Sequence, residues 1–126
     1  MEYCKVYMDS DADEAAMESM LNEGMRLFFD AAVVECAVFK NEIYLSDAHP
    51  DSMTYAIDRS RYYIEIGTEP DAGIGQSKFE IGISNLIVWL RERSEFVIAS
   101  CDFEEFIVES TGWNWTPETP FPPGRR

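Results

Sequence analysis

Lys78-Phe79-Glu80-Ile81-Gly82-Ile83-Ser84-Asn85-Leu86-Ile87-Val88-Trp89-Leu90-Arg91-Glu92-Arg93 is the stretch on which the fold class turns. Its first six residues alternate, with Phe79, Ile81 and Ile83 on one side, and so predict a strand. Ser84 then stands where a helix N-cap belongs. Leu86, Trp89 and Leu90 recur at helical spacing, and Arg91 and Arg93 sit where the negative end of a helix dipole favours cations. Strand and helix joined by a short link predict an α+β fold: a mainly antiparallel sheet with two main helices packed on one face.

On the N-terminal side, Tyr3–Met8 is rich in β-prone residues and reads as a first strand. Ser10 is placed as an N-cap with Asp13 three residues on, and Ala16, Met17, Met20 and Leu21 outline a helix that Gly24 would stop. Leu27–Phe39 turns apolar, with Val34, Cys36 and Val38 at a period of two. Lys40-Asn41-Glu42 breaks the run and Ile43-Tyr44-Leu45 resumes it, which predicts a hairpin. Asp51–Asp58 is placed as a short helix and Arg61–Gly67 as a strand. Gly67–Ser77, with three glycines and a proline, is placed as a loop. On the C-terminal side, Phe96–Cys101 and Phe106–Val108 read as strands around an acidic turn, Asp102-Phe103-Glu104-Glu105. Residues 1–115 form a single acidic domain in this reading, and 116–126 a proline-rich tail lying on its surface through Trp115 and Phe121.

The 126 residues are 46% hydrophobic and 13% aromatic, enough for one real core and unlike a disordered acidic tail. Cys4, Cys36 and Cys101 lie far apart in apolar surroundings, as buried thiols of a reducing compartment would. The chain opens on Glu2 without a basic stretch followed by an apolar one, and its longest apolar run is Leu86–Leu90. The expectation is a cytoplasmic protein without a membrane span.

Motif tests mostly exclude. Asp9-Ser10-Asp11-Ala12-Asp13 has the look of a calcium loop, but the glycine and glutamate that such a loop needs are replaced by Glu14 and Met20. Gly73-Ile74-Gly75 lacks the Gly-Lys-Ser or Gly-Lys-Thr of a phosphate loop, and Glu69 and Asp71 would repel phosphate. No cysteine or histidine spacing matches a metal site, no nucleophile motif surrounds the lone His49, and no cofactor signature is present. Pro120-x-x-Pro123-x-Arg125 matches an SH3-ligand spacing, a pattern short enough to recur by chance.

Charge is the most informative property. Twenty-four acidic residues face ten basic ones, a net −14. Nucleic acid and anionic membrane are thereby disfavoured as partners, and a basic protein is the natural complement. The densest acidic segment flanked by aromatics is Asp102, Glu104, Glu105 and Glu109 with Phe103, Phe106 and Trp113. Carboxylates there would speed encounter, and Trp113, if exposed, would anchor. The expectation is a small acidic binding module, an inhibitor or immunity-type protein neutralising a basic partner such as a bacterial nuclease toxin. Two alternatives are a small-ligand protein or enzyme using His49, Glu65 or Asp71, and a homodimer joined by a sheet face or the Trp113-Asn114-Trp115 segment.

Overall fold

Alternation along two neighbouring strands fixes the sheet. In β1 (Tyr3–Asp9), Cys4, Val6 and Met8 are sealed from solvent; in β3 (Tyr62–Thr68), Tyr62, Ile64 and Ile66 are buried on the same side, while Lys5, Tyr63 and Glu65 face the other side and are half-buried. The computed structural model describes residues 2–29, 33–69, 73–94 and 96–123. Its order is β1, α1 (Glu14–Phe28), β2 (Val34–Lys40), α2 (Tyr55–Asp58), β3, α3 (Gln76–Arg91), β4 (Phe96–Ser100) and α4 (Glu104–Thr111). The sheet order is β2-β3-β1-β4 with every neighbouring pair antiparallel. Strands β1 and β2 therefore run parallel with β3 between them, and β3 and β4 run parallel with β1 between them. This is the split β-α-β, or ferredoxin-like, connectivity.

The two long helices, α1 and α3, cover one face. Met17, Leu21 and Met25 from α1 and Phe79, Ile83, Leu86, Ile87 and Leu90 from α3 form the main core with the sheet's inner residues. The fold is thus α+β with an antiparallel sheet and two main helices on one face, as the sequence implied. A smaller cluster of Tyr7, Ala56, Phe96, Ile98 and Trp113 covers part of the other face. Residues 41–61 reach this face as an irregular excursion. It is tied down by Asn41, whose amide donates to the carbonyls of Ile57 and Ser60 at 2.8 Å each, and by buried Asp9, which pairs with Arg61 at 3.1 Å and Arg59 at 3.9 Å. Among the described residues no helix is long and apolar enough to cross a membrane.

Several local expectations fail for physical reasons. Lys78–Ile83 is the first half of α3, not a strand: Phe79, Ile83, Leu86, Ile87 and Leu90 share a helical face and are fully buried, while Ile81 is 50% exposed. Gly82 is no strand residue either, for a Cβ there would lie 2.4 Å from Phe29 Cε1, so the glycine lets the end of α1 approach. Ser84 is mid-helix and bonded to Ser110 Oγ at 2.8 Å. Gly24 does not stop α1, which continues to Phe28; a Cβ at Gly24 would meet Leu86 and Trp89. The α1 N-cap is Asp13, accepting from Ala16 N–H at 2.8 Å, while Ser10 accepts from Ala12 N–H at 3.2 Å in a turn before it. Ile43-Tyr44-Leu45 forms no strand, because β2 pairs with β3 instead, leaving Ile43 and Leu45 exposed. Phe106–Val108 belongs to α4, whose Phe103 and Ile107 turn inward one helical turn apart, with Gly112 closing it in the left-handed conformation at φ 93°.

Candidate functional site

The end of β4 runs straight into α4, and this junction places the acidic segment. Glu104 and Glu105 occupy the first turn of α4, where the helix dipole favours carboxylates. Glu104 also reaches back to accept the Cys101 backbone N–H at 3.1 Å. The junction lies beside the start of β1 and the start of α3. Together these form an open cleft of about 590 Å³ lined by Glu2, Tyr3, Gln76, Glu80, Ser100, Cys101, Asp102, Phe103 and Glu104. Among the described residues four carboxylates line it and no Lys or Arg does.

Of the five residues expected to bind a partner, Asp102 and Glu104 line this cleft. Glu105 and Glu109 are exposed on α4 and do not line it. Trp113 does not meet the condition of exposure. Its ring is buried against Phe96 at 5.9 Å, lies under the Arg91 guanidinium at 5.1 Å, and donates its indole N–H to the Thr119 carbonyl at 2.9 Å. Next to it, buried Asn114 accepts the Ala99 N–H at 2.9 Å and donates to the Ala99 carbonyl at 3.0 Å, much as a neighbouring strand would. The Trp-Asn-Trp segment thus serves the fold, and Phe121 further along meets Tyr55 edge-on at 6.3 Å.

A second, more apolar groove of about 310 Å³ runs along the sheet's other face, between α2 and the C-terminal segment. Tyr7, Met53, Ile57, Ile98, Trp115 and Pro117 contribute its apolar lining, and it shares Ser100 and Glu104 with the acidic cleft. Met53 is 72% exposed at its rim. Beyond the groove the same face carries Phe39 stacked on Tyr63 at 5.1 Å, with the Lys5 ammonium 4.4 Å above Tyr63. Tyr3 donates its hydroxyl to Glu65 at 2.8 Å. Desolvation first, and this hydrogen bond second, push its phenol up to about 12.

The residues named for an enzyme do not converge. His49 is exposed in a surface turn, where its Nδ1 accepts the Asp51 backbone N–H at 3.2 Å, and it lines neither cleft. Glu65 is engaged with Tyr3, and Asp71 lies outside the described residues, as does Arg125 of the proline-rich spacing. Among the described residues no group of three or more His, Cys, Asp or Glu is placed to hold a metal ion.

Sequence reasoning found Asp102 and Glu104 because they sit together in the chain. It missed Glu2, Tyr3, Gln76 and Glu80, which only the β1–β4 pairing and the packing of α3 bring to the same place. No protein-family model, curated protein or solved structure matches the chain.

Proposed function

We propose that the chain is an acidic protein-binding module that takes a basic segment of another protein in the cleft at the β4–α4 junction. One observation carries the reading: among the described residues, four carboxylates from three separate parts of the chain line a single cleft without a Lys or Arg, beside an apolar groove that shares Ser100 and Glu104. Carboxylates left in water steer a cationic partner and choose it by sign, whereas apolar burial in a neighbouring groove slows its departure. The segment that fits is therefore an arginine or lysine with an apolar residue close by. In this reading the target is a protein with a cationic groove, as a nuclease toxin needs for its substrate. The chain then acts as an inhibitor or immunity-type protein by occupying that groove.

An oligo-arginine peptide titrated into the protein by calorimetry tests this. Binding should weaken steadily as salt shortens the screening length below about 10 Å. The double substitution Glu80→Lys with Asp102→Lys should cost at least about tenfold in affinity, or roughly 1.4 kcal/mol. Glu104 is left intact in that variant because it also holds the Cys101 backbone. Wild-type protein that ignores the peptide at low salt refutes the reading.

A further inference from the structure

The antiparallel ladder between β1 and β4 ends at Lys5 opposite Ser100, and its register carried one step further sets Cys101 opposite Cys4. Both side chains join the core on the helical face of the sheet, where each thiol perturbs the other's acidity, and the Cys4 thiol donates to the Lys5 carbonyl at 3.7 Å. Directly opposed residues in such a ladder have Cα atoms about 4.5–5.5 Å apart, within the roughly 4.4–6.8 Å that a disulfide spans. The two thiols differ in access. Cys4 is fully buried, whereas Cys101 is half-buried and lines the acidic cleft. We propose that Cys4 and Cys101 form a reversibly oxidisable dithiol, reached through the cleft by hydrogen peroxide.

The roles follow from position. The neighbouring Cys4 thiol, helped by the Phe103 backbone N–H, holds the Cys101 thiol below its ordinary value against the opposing pull of burial and the carboxylates of Glu104 and Asp102. Cys4, beside Cys101 and buried, is pushed up and stays a thiol. Cys101 is thus the attacking sulfur and Cys4 the resolving one. The Cys101 thiolate attacks one peroxide oxygen, the O–O bond breaks, and the leaving hydroxide takes up the proton that Cys101 had released, giving water and a sulfenic acid. Cys4 then gives up its proton and attacks the Cys101 sulfur. The S–O bond breaks and a second water leaves, so two thiols and one peroxide yield one disulfide and two waters. Four carboxylates lining the entrance exclude anionic oxidants, and an uncharged peroxide passes them. Cys36 on β2 supplies the internal control, because it is half-buried too but burial alone acts on its thiol and raises it.

The test treats the reduced, folded wild-type chain with equimolar hydrogen peroxide, then digests it and maps the cysteines by mass. The expected result is a Cys4–Cys101 cross-link that thiol reductants reverse, with the Cys101 thiol lost at least roughly tenfold faster than that of Cys36. In Cys4→Ser, a sulfenic acid should persist at Cys101 and be captured by dimedone. Oxidation of Cys36 first, or a stable Cys101 sulfenic acid in wild-type protein beside a free Cys4, overturns the proposal. The wild-type map decides by itself if the variant fails to fold.

Discussion

Replacing Asn114 by Ala isolates how the C-terminal segment is held to the sheet. The side chain serves the outer edge of β4 by accepting the Ala99 N–H at 2.9 Å and donating to the Ala99 carbonyl at 3.0 Å, and all these groups are buried. Alanine cannot reach either group. Two hydrogen bonds contribute about 1 kcal/mol each net, and an N–H or C=O left buried without a partner costs about 1–3 kcal/mol. The loss should therefore be about 2–4 kcal/mol, a large share of the roughly 5–15 kcal/mol that holds a domain together. Trp113 sits beside Asn114 against Phe96, so its fluorescence should report the loosening. Urea unfolding followed by tryptophan emission measures the change, and thermal unfolding should show a fall in melting temperature of about 6–16 °C. Asn114→Asp should do no better. It keeps the acceptor for Ala99 N–H but loses the donor, and it brings a second negative charge near Glu104, whose carboxylate is 3.4 Å from the present amide. A loss below about 0.5 kcal/mol in Asn114→Ala would refute the view that this side chain acts as a substitute strand.

Two further substitutions probe other joints. Gly24→Ala gains about 1 kcal/mol of helix propensity but sets a Cβ 2.7 Å from Leu86 Cδ1 and 2.9 Å from Trp89 Cζ3, an overpacking worth about 1–3 kcal/mol. Net destabilisation in urea is expected, and a more stable variant would contradict the close contact of α1 with α3. The Tyr3 phenol, held at about 12, keeps its proton in the folded state over a pH range where the unfolded chain has lost it. Stability from this group is thus fully present below about 10 and is lost as pH rises through about 12. Ultraviolet titration should find Tyr3 titrating late, with Tyr62 also above the ordinary value, and Glu65→Gln should lower Tyr3 only in part, because desolvation is the larger cause.

The sequence was most legible where periodicity and burial agree over a whole element. β3 alternates along its whole length, β4 is a short run of apolar residues buried on both faces, and Met17 and Leu21 mark α1 at helical spacing. It was least legible where six residues fit two periods. Phe79, Ile81 and Ile83 alternate, yet Phe79 and Ile83 also lie one helical turn apart, and only the pattern continuing through Leu90 decides for the helix. Phe106–Val108 misled through β-prone residue types, although Glu104 and Glu105 before it and Gly112 after it are helix start and stop signals. Half of the cleft was readable for a similar reason. Asp102 and Glu104 are neighbours in sequence, whereas Glu2 and Glu80 reach them only through strand pairing and helix packing. The burial of Trp113 was invisible to composition, since nothing local shows that Phe96 and Arg91 would receive its ring.

Chemical-shift mapping of the isotope-labelled chain with an oligo-arginine peptide tests the central claim most directly, because it locates the contact as well as detecting it. The account predicts salt-sensitive shifts at Glu2, Tyr3, Glu80 and Asp102–Glu104, spreading to Met53 and Trp115 when the peptide carries an apolar residue next to arginine. Shifts confined to Glu105 and Glu109, or scattered evenly over the acidic surface, would contradict it.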